Sequence, residues 1–145
     1  MIFFLLQFAL MVLLVIPWTG RAPGWVGASA IAAYALLLMG SLLFLWVLKH
    51  NRLDNFRALP EPPPGNRLIT SGPYRFIRHP MYLALLLAMA GFSLLYGELW
   101  RWPVWGALGI VLHFKAQQEE RFLCARFPEY RDYSARTKSL LPFLL

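Results

Sequence analysis

Two short stretches of this chain gather the side chains that could do chemistry. Residues 70–83 read TSGPYRFIRHPMYL, and residues 119–133 read EERFLCARFPEYRDY. Carboxylates can hold amino or hydroxyl groups through charge-assisted hydrogen bonds, and aromatic faces attract cations. A carboxylate or a histidine can also accept a proton from a reacting group. These two stretches are therefore the candidates for a binding or proton-transfer site.

The glutamate pair of the second stretch continues a polar stripe. On a helix, His113, Gln117 and Glu120 share one face. A polar stripe that runs from an apolar helix into water favours a cavity lining. The alternative interpretation is a solvated charge run, in which the two glutamates pair with Lys115 and Arg121 at helical spacing.

The first stretch contains a helix start. His79 precedes Pro80, and proline is well suited to the first position of a helix. The alternative interpretation makes His79 a helix cap and Tyr82 a residue of the aromatic belt at a membrane surface.

The composition indicates that lipid surrounds most of the chain. Of 145 residues, 59% are hydrophobic and 14% are charged, whereas soluble domains carry about 25% charged residues. The net charge of +7 lies beside apolar segments, which is typical of a cytoplasmic membrane face, and no nucleic-acid recognition motif accompanies it. Cys124 is the single cysteine, so we expect no intrachain disulfide and no metal site. The lipid bilayer, and not nucleic acid, is the expected partner.

These patterns predict an all-α fold, a polytopic membrane bundle of about four transmembrane helices. A spanning helix needs about 20 mostly apolar residues. The predicted spans are residues 1–18, 25–48, 80–97 and 103–114. The first has neither a basic leader nor a small-residue cleavage site, so we expect it to remain as a helix. The fourth is short, but no glycine or proline interrupts residues 115–127, so one long helix should continue beyond the headgroups.

The basic residues predict the orientation. The chain has 14 lysines and arginines. All of them except Arg21 and Arg101 fall within residues 49–78 or 115–138. The positive-inside rule places these segments in the cytoplasm, and four spans then place both termini there as well.

The chain is thus expected to form one membrane domain in three parts. Residues 1–48 form a two-helix span, and residues 49–79 form a cytoplasmic connection stiffened by prolines at positions 60 and 62–64. Residues 80–145 form a helical hairpin and an interfacial tail with a hydrophobic end that includes Leu141 and Phe143.

The joint pattern of the two stretches resembles a known enzyme family. R-H-P-x-Y stands at a helix start, and E-E-x-x-L-x-x-x-F-x-x-Y-x-x-Y follows after one helical hairpin. This combination resembles the membrane methyltransferases related to isoprenylcysteine carboxyl methyltransferase and to phospholipid N-methyltransferases. The resemblance covers residues 66–142 and includes the lead-in G-P-Y-R at residues 72–75.

The resemblance implies a cofactor and a reaction. In such enzymes the C-terminal hairpin and tail enclose S-adenosylmethionine at the cytoplasmic membrane face. The reaction implied is methyl transfer to a lipid-like or prenylated acceptor, through a carboxylate or an amine. If the acceptor is an amine, its proton would go to Glu119, Glu120 or His113. Carried over by position, the residues lining the cofactor pocket would be Arg78, His79, Pro80, Tyr82, Glu119, Glu120, Tyr130 and Tyr133.

Three positions depart from the family pattern. Ala84 stands where glycine often follows H-P-x-Y, and Pro128 stands where glycine often follows the phenylalanine. Ser139 aligns with the usual tail arginine, although Lys138 and Arg136 lie nearby. The chain also has one span fewer than some relatives, so its acceptor tunnel is either built differently or completed in a homo-oligomer.

Two other functions stay open on the sequence. Membrane sterol reductases that use NADPH also resemble this half of the chain, with an H-P-x-Y element at a helix start. The altered glycine and arginine positions are compatible with a non-catalytic membrane scaffold. Binding of S-adenosylmethionine, of NADPH or of neither separates the three alternatives.

Overall fold

The computed structural model of the chain describes residues 2–18, 20, 23, 27–51 and 68–140. This part of the chain is all-helical, as predicted, and it contains no strand beyond an isolated parallel bridge between Ile77 and Lys138. The α-helices are α1 (Ile2–Val15), α2 (Ala28–His50), α3 (Pro80–Tyr96), α4 (Arg101–Arg126) and α5 (Tyr130–Arg136), and a 3-10 helix (Gly72–Arg75) precedes α3.

Helix α3 begins and ends at residues suited to those positions. Pro80 occupies the first turn, where its missing N–H leaves no bond unmade. Gly97 ends the helix with φ at 63°, in the left-handed region that favours glycine, and its N–H donates to the carbonyl of Ser93 at 3.1 Å. The helix therefore ends one residue before the predicted end of the third span.

Helix α4 is one continuous helix of 26 residues, about 39 Å long at 1.5 Å per residue. Its first half is apolar and buries Leu108 and Leu112, while its second half carries Glu119 and Glu120. The predicted long helix, which continues from the fourth apolar stretch into a polar half, is therefore present, while the crossing of a membrane by its apolar half stays a prediction.

Helices α2 and α3 approach each other through small residues. A Cβ atom added at Gly40 would lie 2.8 Å from the carbonyl oxygen of Ala84, and one added at Gly91 would lie 2.9 Å from that of Ala33. Because residue 40 meets residue 84 and residue 33 meets residue 91, the two helices run antiparallel. Contacts through small residues are typical of helices that pack within a membrane.

Helices α1 and α4 also run antiparallel. Near the start of α1, the ring of Phe3 stacks on Phe114, with centroids 6.5 Å apart. Near its end, the carbonyl of Leu14 accepts a hydrogen bond from Arg101, at the first position of α4. The core between these helices, α3 and the tail consists of Leu14, Tyr82, Met89, Leu108, Leu112, Ala116 and Leu140.

One end of the bundle, which we call the Arg101 end, is closed by a buried cation. The Arg101 side chain is fully buried and its Nε donates to Glu98 at 2.8 Å. Its terminal nitrogens donate to the carbonyls of Leu13 and Leu14 in the last turn of α1 and to that of Ile16 just beyond it, over 2.6–3.3 Å. The guanidinium thus caps α1 at the negative end of its helix dipole.

The opposite end, which we call the Glu120 end, gathers the two candidate stretches. It comprises the starts of α1 and α3, the end of α2, the polar half of α4, and α5 with the tail. The two stretches singled out in the sequence are therefore brought to one end of the molecule.

Among the described helices, α2 is long and apolar enough to cross a membrane, while α1 and α3 are shorter apolar helices. The predicted spans at residues 1–18 and 25–48 coincide with α1 and α2, apart from the ends. Trp25, the prolines at 60 and 62–64, and the hydrophobic residues Leu141 and Phe143 lie outside the described residues. The division of the chain into three parts stays a prediction.

Candidate functional site

The segment before α3 pairs with the tail through its backbone. The amide of Arg78 donates to the carbonyl of Lys138 at 2.8 Å, and that of His79 donates to Ser139 at 3.0 Å. Leu140, the next residue, is buried in the core. This pairing fixes the tail beside the start of α3, more than 50 residues away in the sequence.

Glu120 is the centre of the site. One of its oxygens, Oε1, accepts from Arg78 Nε at 2.9 Å, from His79 Nε2 at 3.0 Å and from the Ser139 hydroxyl at 3.0 Å. The carboxylate therefore joins α4 to the start of α3 and to the tail. Because an ionised carboxylate only accepts, Nε2 of His79 carries the hydrogen in this pair.

Arg78 extends the same network into the tail. Its Nη1 donates to the carbonyls of Ser134, at 2.9 Å, and Thr137. These carbonyls lie in the last turn of α5 and just beyond its end, where a cation also complements the helix dipole. One guanidinium thus ties the end of α5 to Glu120.

Glu119 makes a second, looser set of contacts. Its Oε1 accepts from the Tyr82 hydroxyl at 2.5 Å, and its Oε2 lies 3.6 Å from Nδ1 of His79. The rings of His79 and Tyr82 stack with centroids 5.3 Å apart and an interplanar angle of 4°. Both glutamates therefore contact the start of α3, and Glu120 also contacts the tail, which is not the solvated charge run that the sequence left open.

The tyrosines of α5 differ in how their hydroxyls are satisfied. Tyr133 donates to the carbonyl of Tyr74 at 2.6 Å, in the 3-10 helix. The hydroxyl of Tyr130 is the one buried side-chain polar atom of the described residues that has no hydrogen-bond partner. The two rings pack edge to face at 5.7 Å. Since buried hydroxyls are normally bonded, Tyr130 presents unused hydrogen-bonding capacity beside the network.

The electrostatics keep the acid ionised and the phenols neutral. Burial opposes ionisation of Glu120, but hydrogen bonds from His79 and Arg78 outweigh it and lower the pKa of Glu120 to about 2. Burial raises the pKa of Tyr133 to about 12 and that of Tyr130 well above its usual range. At neutral pH the site therefore offers a carboxylate acceptor and hydroxyl donors.

The sequence that forms most of this site matches a known protein family. The phospholipid methyltransferase family matches residues 28–129, from the start of α2 to the residue before α5. The chain belongs to the phospholipid methyltransferase family. This family is one of membrane methyltransferases, so the resemblance inferred from the two stretches is confirmed, and the apolar helix α2 agrees with a membrane protein.

Two proteins that are similar to this chain are named as metal resistance proteins. The chain is 40% identical over 82 residues to the cobalt-zinc-cadmium resistance protein CzcN of Cupriavidus metallidurans. It is 32% identical over 82 residues to the nickel-cobalt-cadmium resistance protein NccN of Alcaligenes xylosoxydans xylosoxydans. Each match covers 55% of this chain and 38% of the relative. No solved structure matches the chain significantly.

In this methyltransferase-family chain, seven of the eight residues predicted to line a cofactor pocket belong to the network or border it. They are Arg78, His79, Tyr82, Glu119, Glu120, Tyr130 and Tyr133. The eighth, Pro80, is buried at the start of α3 and serves the backbone there. Their roles toward a cofactor stay a prediction.

His113 lies apart from this network. Its Nε2 is 2.9 Å from the side-chain nitrogen of Gln117, and its ring packs edge to face with Phe114. Seven residues separate it from Glu120, a rise of about 10 Å along α4. The polar stripe that the sequence indicated is present, but His113 and Gln117 form a pair of their own, apart from the network around Glu120.

Sequence reasoning missed two contacts at this end of the bundle. Ser139, noted as a departure from the family arginine, donates to Glu120. Lys115, interpreted as a possible helix-surface partner of the glutamates, is buried and donates to Gln7 of α1 at 3.0 Å. The isolated polar residue in the apolar sequence of α1 was the available signal for the second contact. No metal site was predicted, and among the described residues no three His, Cys, Asp or Glu side chains are placed to hold a metal ion.

Proposed function

We propose that this chain is an S-adenosylmethionine-dependent methyltransferase. Its acceptor would be a lipid-like or prenylated molecule that presents a carboxylate or an amine at the cytoplasmic membrane face. One observation carries the proposal: Arg78, His79 and Tyr82 meet the glutamate pair of α4 at one end of the bundle. Membership of a methyltransferase family supports the reaction class.

The polar groups of the site fit the parts of the cofactor. S-adenosylmethionine carries an amino group, ribose hydroxyls, a flat adenine ring and a sulfonium cation. Glu119, whose Oε2 has a contact of 3.6 Å to His79 and whose side chain is 25% exposed, retains capacity to accept from an amino or hydroxyl group. The unpartnered Tyr130 hydroxyl can bond a polar atom of the ligand, and the aromatic faces suit adenine or a sulfonium.

The division of labour between the glutamates follows from their contacts. Glu120 is bonded to three side chains and holds the site together, so we expect its removal to disorganise the pocket. Glu119 is held by fewer bonds and is the better candidate for direct contact with the cofactor. This refines the sequence-based prediction, which gave the two the same role.

The reaction requires little acid–base chemistry from the protein. When bound, S-adenosylmethionine supplies an electrophilic methyl group, and the acceptor's lone pair forms the new bond as the carbon–sulfur bond breaks and its electron pair stays on sulfur. The chain's residues position the partners and exclude water. A carboxylate acceptor becomes a neutral ester with no proton to remove. An amine must arrive neutral or lose a proton, and Glu119, which accepts from Tyr82 and makes fewer contacts than Glu120, is the better placed of the two carboxylates to accept it.

The proposal includes a four-span membrane topology with the Glu120 end and both termini in the cytoplasm. Large apolar side chains are exposed along the helices, among them Phe8 at 59% and Leu38 at 60%, as expected for lipid contact. Helices α1 and α3 are about 21 and 26 Å long at 1.5 Å per residue. Both are shorter than a hydrocarbon core of about 30 Å, so local thinning of the bilayer would accompany them.

Calorimetric titration of S-adenosylmethionine into the detergent-solubilised protein tests the proposal. We expect saturable binding that weakens about 10- to 100-fold in Glu120→Ala, because charge-assisted bonds are lost. Glu129→Ala is the matched control, since this carboxylate is exposed just before α5, and it should bind like the wild type.

Two results would contradict the proposal. Binding of NADPH in place of S-adenosylmethionine by a well-folded sample would indicate a reductase. Binding of neither cofactor would favour the non-catalytic scaffold.

A further inference from the structure

Lys115 is a buried cation that feels the charge of Glu119 at a distance but forms no ion pair with another of the described residues. Its side chain is 7% exposed, and its Nζ donates to the side-chain oxygen of Gln7 at 3.0 Å. Two aromatic faces lie near the ammonium: the ring centroid of Tyr82 is 5.2 Å from Nζ and that of Phe4 is 5.9 Å. An ammonium has three N–H donors, and among the described residues its hydrogen-bond acceptor is a neutral amide.

Burial of a charge of this kind is costly without an ionic partner. The closest acid along α4 is Glu119, one turn further on, but its oxygens face Tyr82 and His79. The rings supply some stabilisation through their π faces, though much less than a carboxylate or a phosphate. The ammonium is therefore placed to receive an anion from outside the protein.

Helix α1 is adapted to this position. Gln7 is the single polar residue in its sequence, IFFLLQFALMVLLV, and it is the residue that meets Lys115. Helix α1 also lies outside the family match, which begins at residue 28. The contact between Gln7 and Lys115 thus brings α1, which is not part of the family match, to the Glu120 end of the bundle.

The location links Lys115 to the site. Tyr82 contacts both Lys115 and the glutamate pair, since its ring lies beside Nζ of Lys115 and its hydroxyl donates to Glu119. Lys115 follows the apolar half of α4 and precedes Glu119 by one turn, about 6 Å along the helix. An amphiphile whose chain lies beside the bundle at the level of that apolar half would bring its headgroup to the level of Lys115.

We infer that Lys115, with Gln7 and Tyr82, forms a subsite for the negatively charged group of the methyl acceptor, a phosphate or a carboxylate on an apolar chain. The inference rests on the proposed function and specifies the acceptor. The subsite holds a group of the acceptor that does not react, because an ammonium bonded to the attacking atom would withdraw its electrons. Binding energy from that group then orients the reacting atom toward the cofactor.

The experiment measures binding directly. Hexyl phosphate, hexanoate and hexanol are titrated separately by calorimetry into protein in an uncharged maltoside detergent. The proteins compared are the wild type, Lys115→Met, Lys115→Arg, Lys49→Met and the double variant Gln7→Leu/Lys115→Met. Lys49 is the control, as an exposed lysine in the last turn of α2 at the same end of the bundle.

We expect one of the two anions to bind the wild type and Lys49→Met at least about 10-fold more tightly than Lys115→Met, the loss expected for a charge-assisted hydrogen bond. Hexanol should show no such difference, and Lys115→Arg should recover part of the affinity. The double variant removes both polar partners, so it should keep the fold, with a melting temperature near that of the wild type, and still lack anion binding. Preference for hexyl phosphate or for hexanoate identifies the source of the charge.

The outcomes separate this inference from the proposed function. Equal anion binding in the wild type and in Lys115→Met, or none in the wild type, overturns the subsite. If the same samples bind S-adenosylmethionine, the proposed function stands without it. Anion binding that depends on Lys115 in protein that binds no S-adenosylmethionine would contradict the methyltransferase, and it would overturn the assignment of this anion site to a methyl acceptor.

Discussion

The two ends of the bundle each bury a cation, and they treat it in opposite ways. Arg101 is fully buried, and its donors meet the Glu98 carboxylate and three carbonyls at the end of α1 and just beyond it. It also lies over the ring of Tyr96, 4.0 Å from the centroid. Lys115 is almost as buried but bonds to one neutral amide.

The difference separates a structural cation from one available to a ligand. The Arg101 guanidinium has five N–H donors and makes four hydrogen bonds, so it fixes helix positions and has little capacity left for another molecule. The Glu120 end keeps such capacity, at Lys115 and at the Tyr130 hydroxyl. We therefore expect mutations at the Arg101 end to change stability alone, and mutations at the Glu120 end to change binding, together with stability where a hydrogen bond within the protein is lost.

The largest effect is expected at Arg101. Arg101→Met removes the guanidinium that neutralises the buried Glu98 and caps α1. The free energy of unfolding should fall by about 3–5 kcal/mol, as for other broken buried ion pairs. Arg121→Met, an exposed position on the same helix, is the control in thermal unfolding of the solubilised protein. Equal melting temperatures for the two variants would contradict the structural role.

Acid should weaken the Glu120 end. The pKa of Glu120 is lowered from 4.5 to about 2 in the folded protein, so its ionised form stabilises the fold at neutral pH. This contribution is complete above about pH 5 and is lost as the pH falls from about 4.5 to about 2. The melting temperature of the wild type should thus exceed that of Glu120→Gln at pH 7, and the gap should narrow in acid. If the difference in melting temperature between the wild type and Glu120→Gln stayed constant with pH, the ionised form of Glu120 would not be the source of the stabilisation.

The tyrosines of α5 provide a matched pair. Tyr133→Phe removes a hydrogen bond to the carbonyl of Tyr74 and should cost about 1 kcal/mol of stability. Tyr130→Phe removes a buried hydroxyl with no partner, so stability should be unchanged or slightly higher. Affinity for S-adenosylmethionine should nevertheless fall several-fold in Tyr130→Phe if the hydroxyl bonds the ligand. If Tyr130→Phe lost stability but kept its affinity for S-adenosylmethionine, a hydrogen bond between the Tyr130 hydroxyl and the ligand would be refuted.

The smallest effect is expected at Ala84, which stands at a family glycine position. Its side chain is 3% exposed and it packs where α2 approaches through Gly40. Ala84→Gly should reduce the free energy of unfolding by about 1 kcal/mol, because glycine is a poorer helix former. S-adenosylmethionine affinity should not change, and a change would place residue 84 in the binding pocket.

Local features of the fold were predictable because they depend on neighbouring residues. Pro80 and Gly97 bound α3 almost where the sequence placed the third span. The absence of glycine and proline in residues 115–127 predicted the unbroken course of α4. The meeting of the two stretches was predictable through the family resemblance, since R-H-P-x-Y and E-E belong to one pattern.

Long-range partners were not predictable from spacing. Arg101 was counted as a loop charge because nothing local marks it as a cap for α1, more than 80 residues earlier. The pairing of Lys115 with Gln7 needs the antiparallel register of α1 and α4, which periodicity does not give. Similarly, the departure at Ser139 suggested a lost cation, whereas the structure supplies the guanidinium to Glu120 from Arg78.

The pairing of the tail with the start of α3 imposes an order on biosynthesis. Arg78 leaves the ribosome 56 and 59 residues before its carbonyl partners at Ser134 and Thr137. At about 5–20 residues per second, this is a delay of about 3–12 s. During that time α2 and α3 can pack, but the network around Arg78 cannot be completed. A nascent chain arrested before residue 137 would therefore contain packed helices without an assembled Glu120 end.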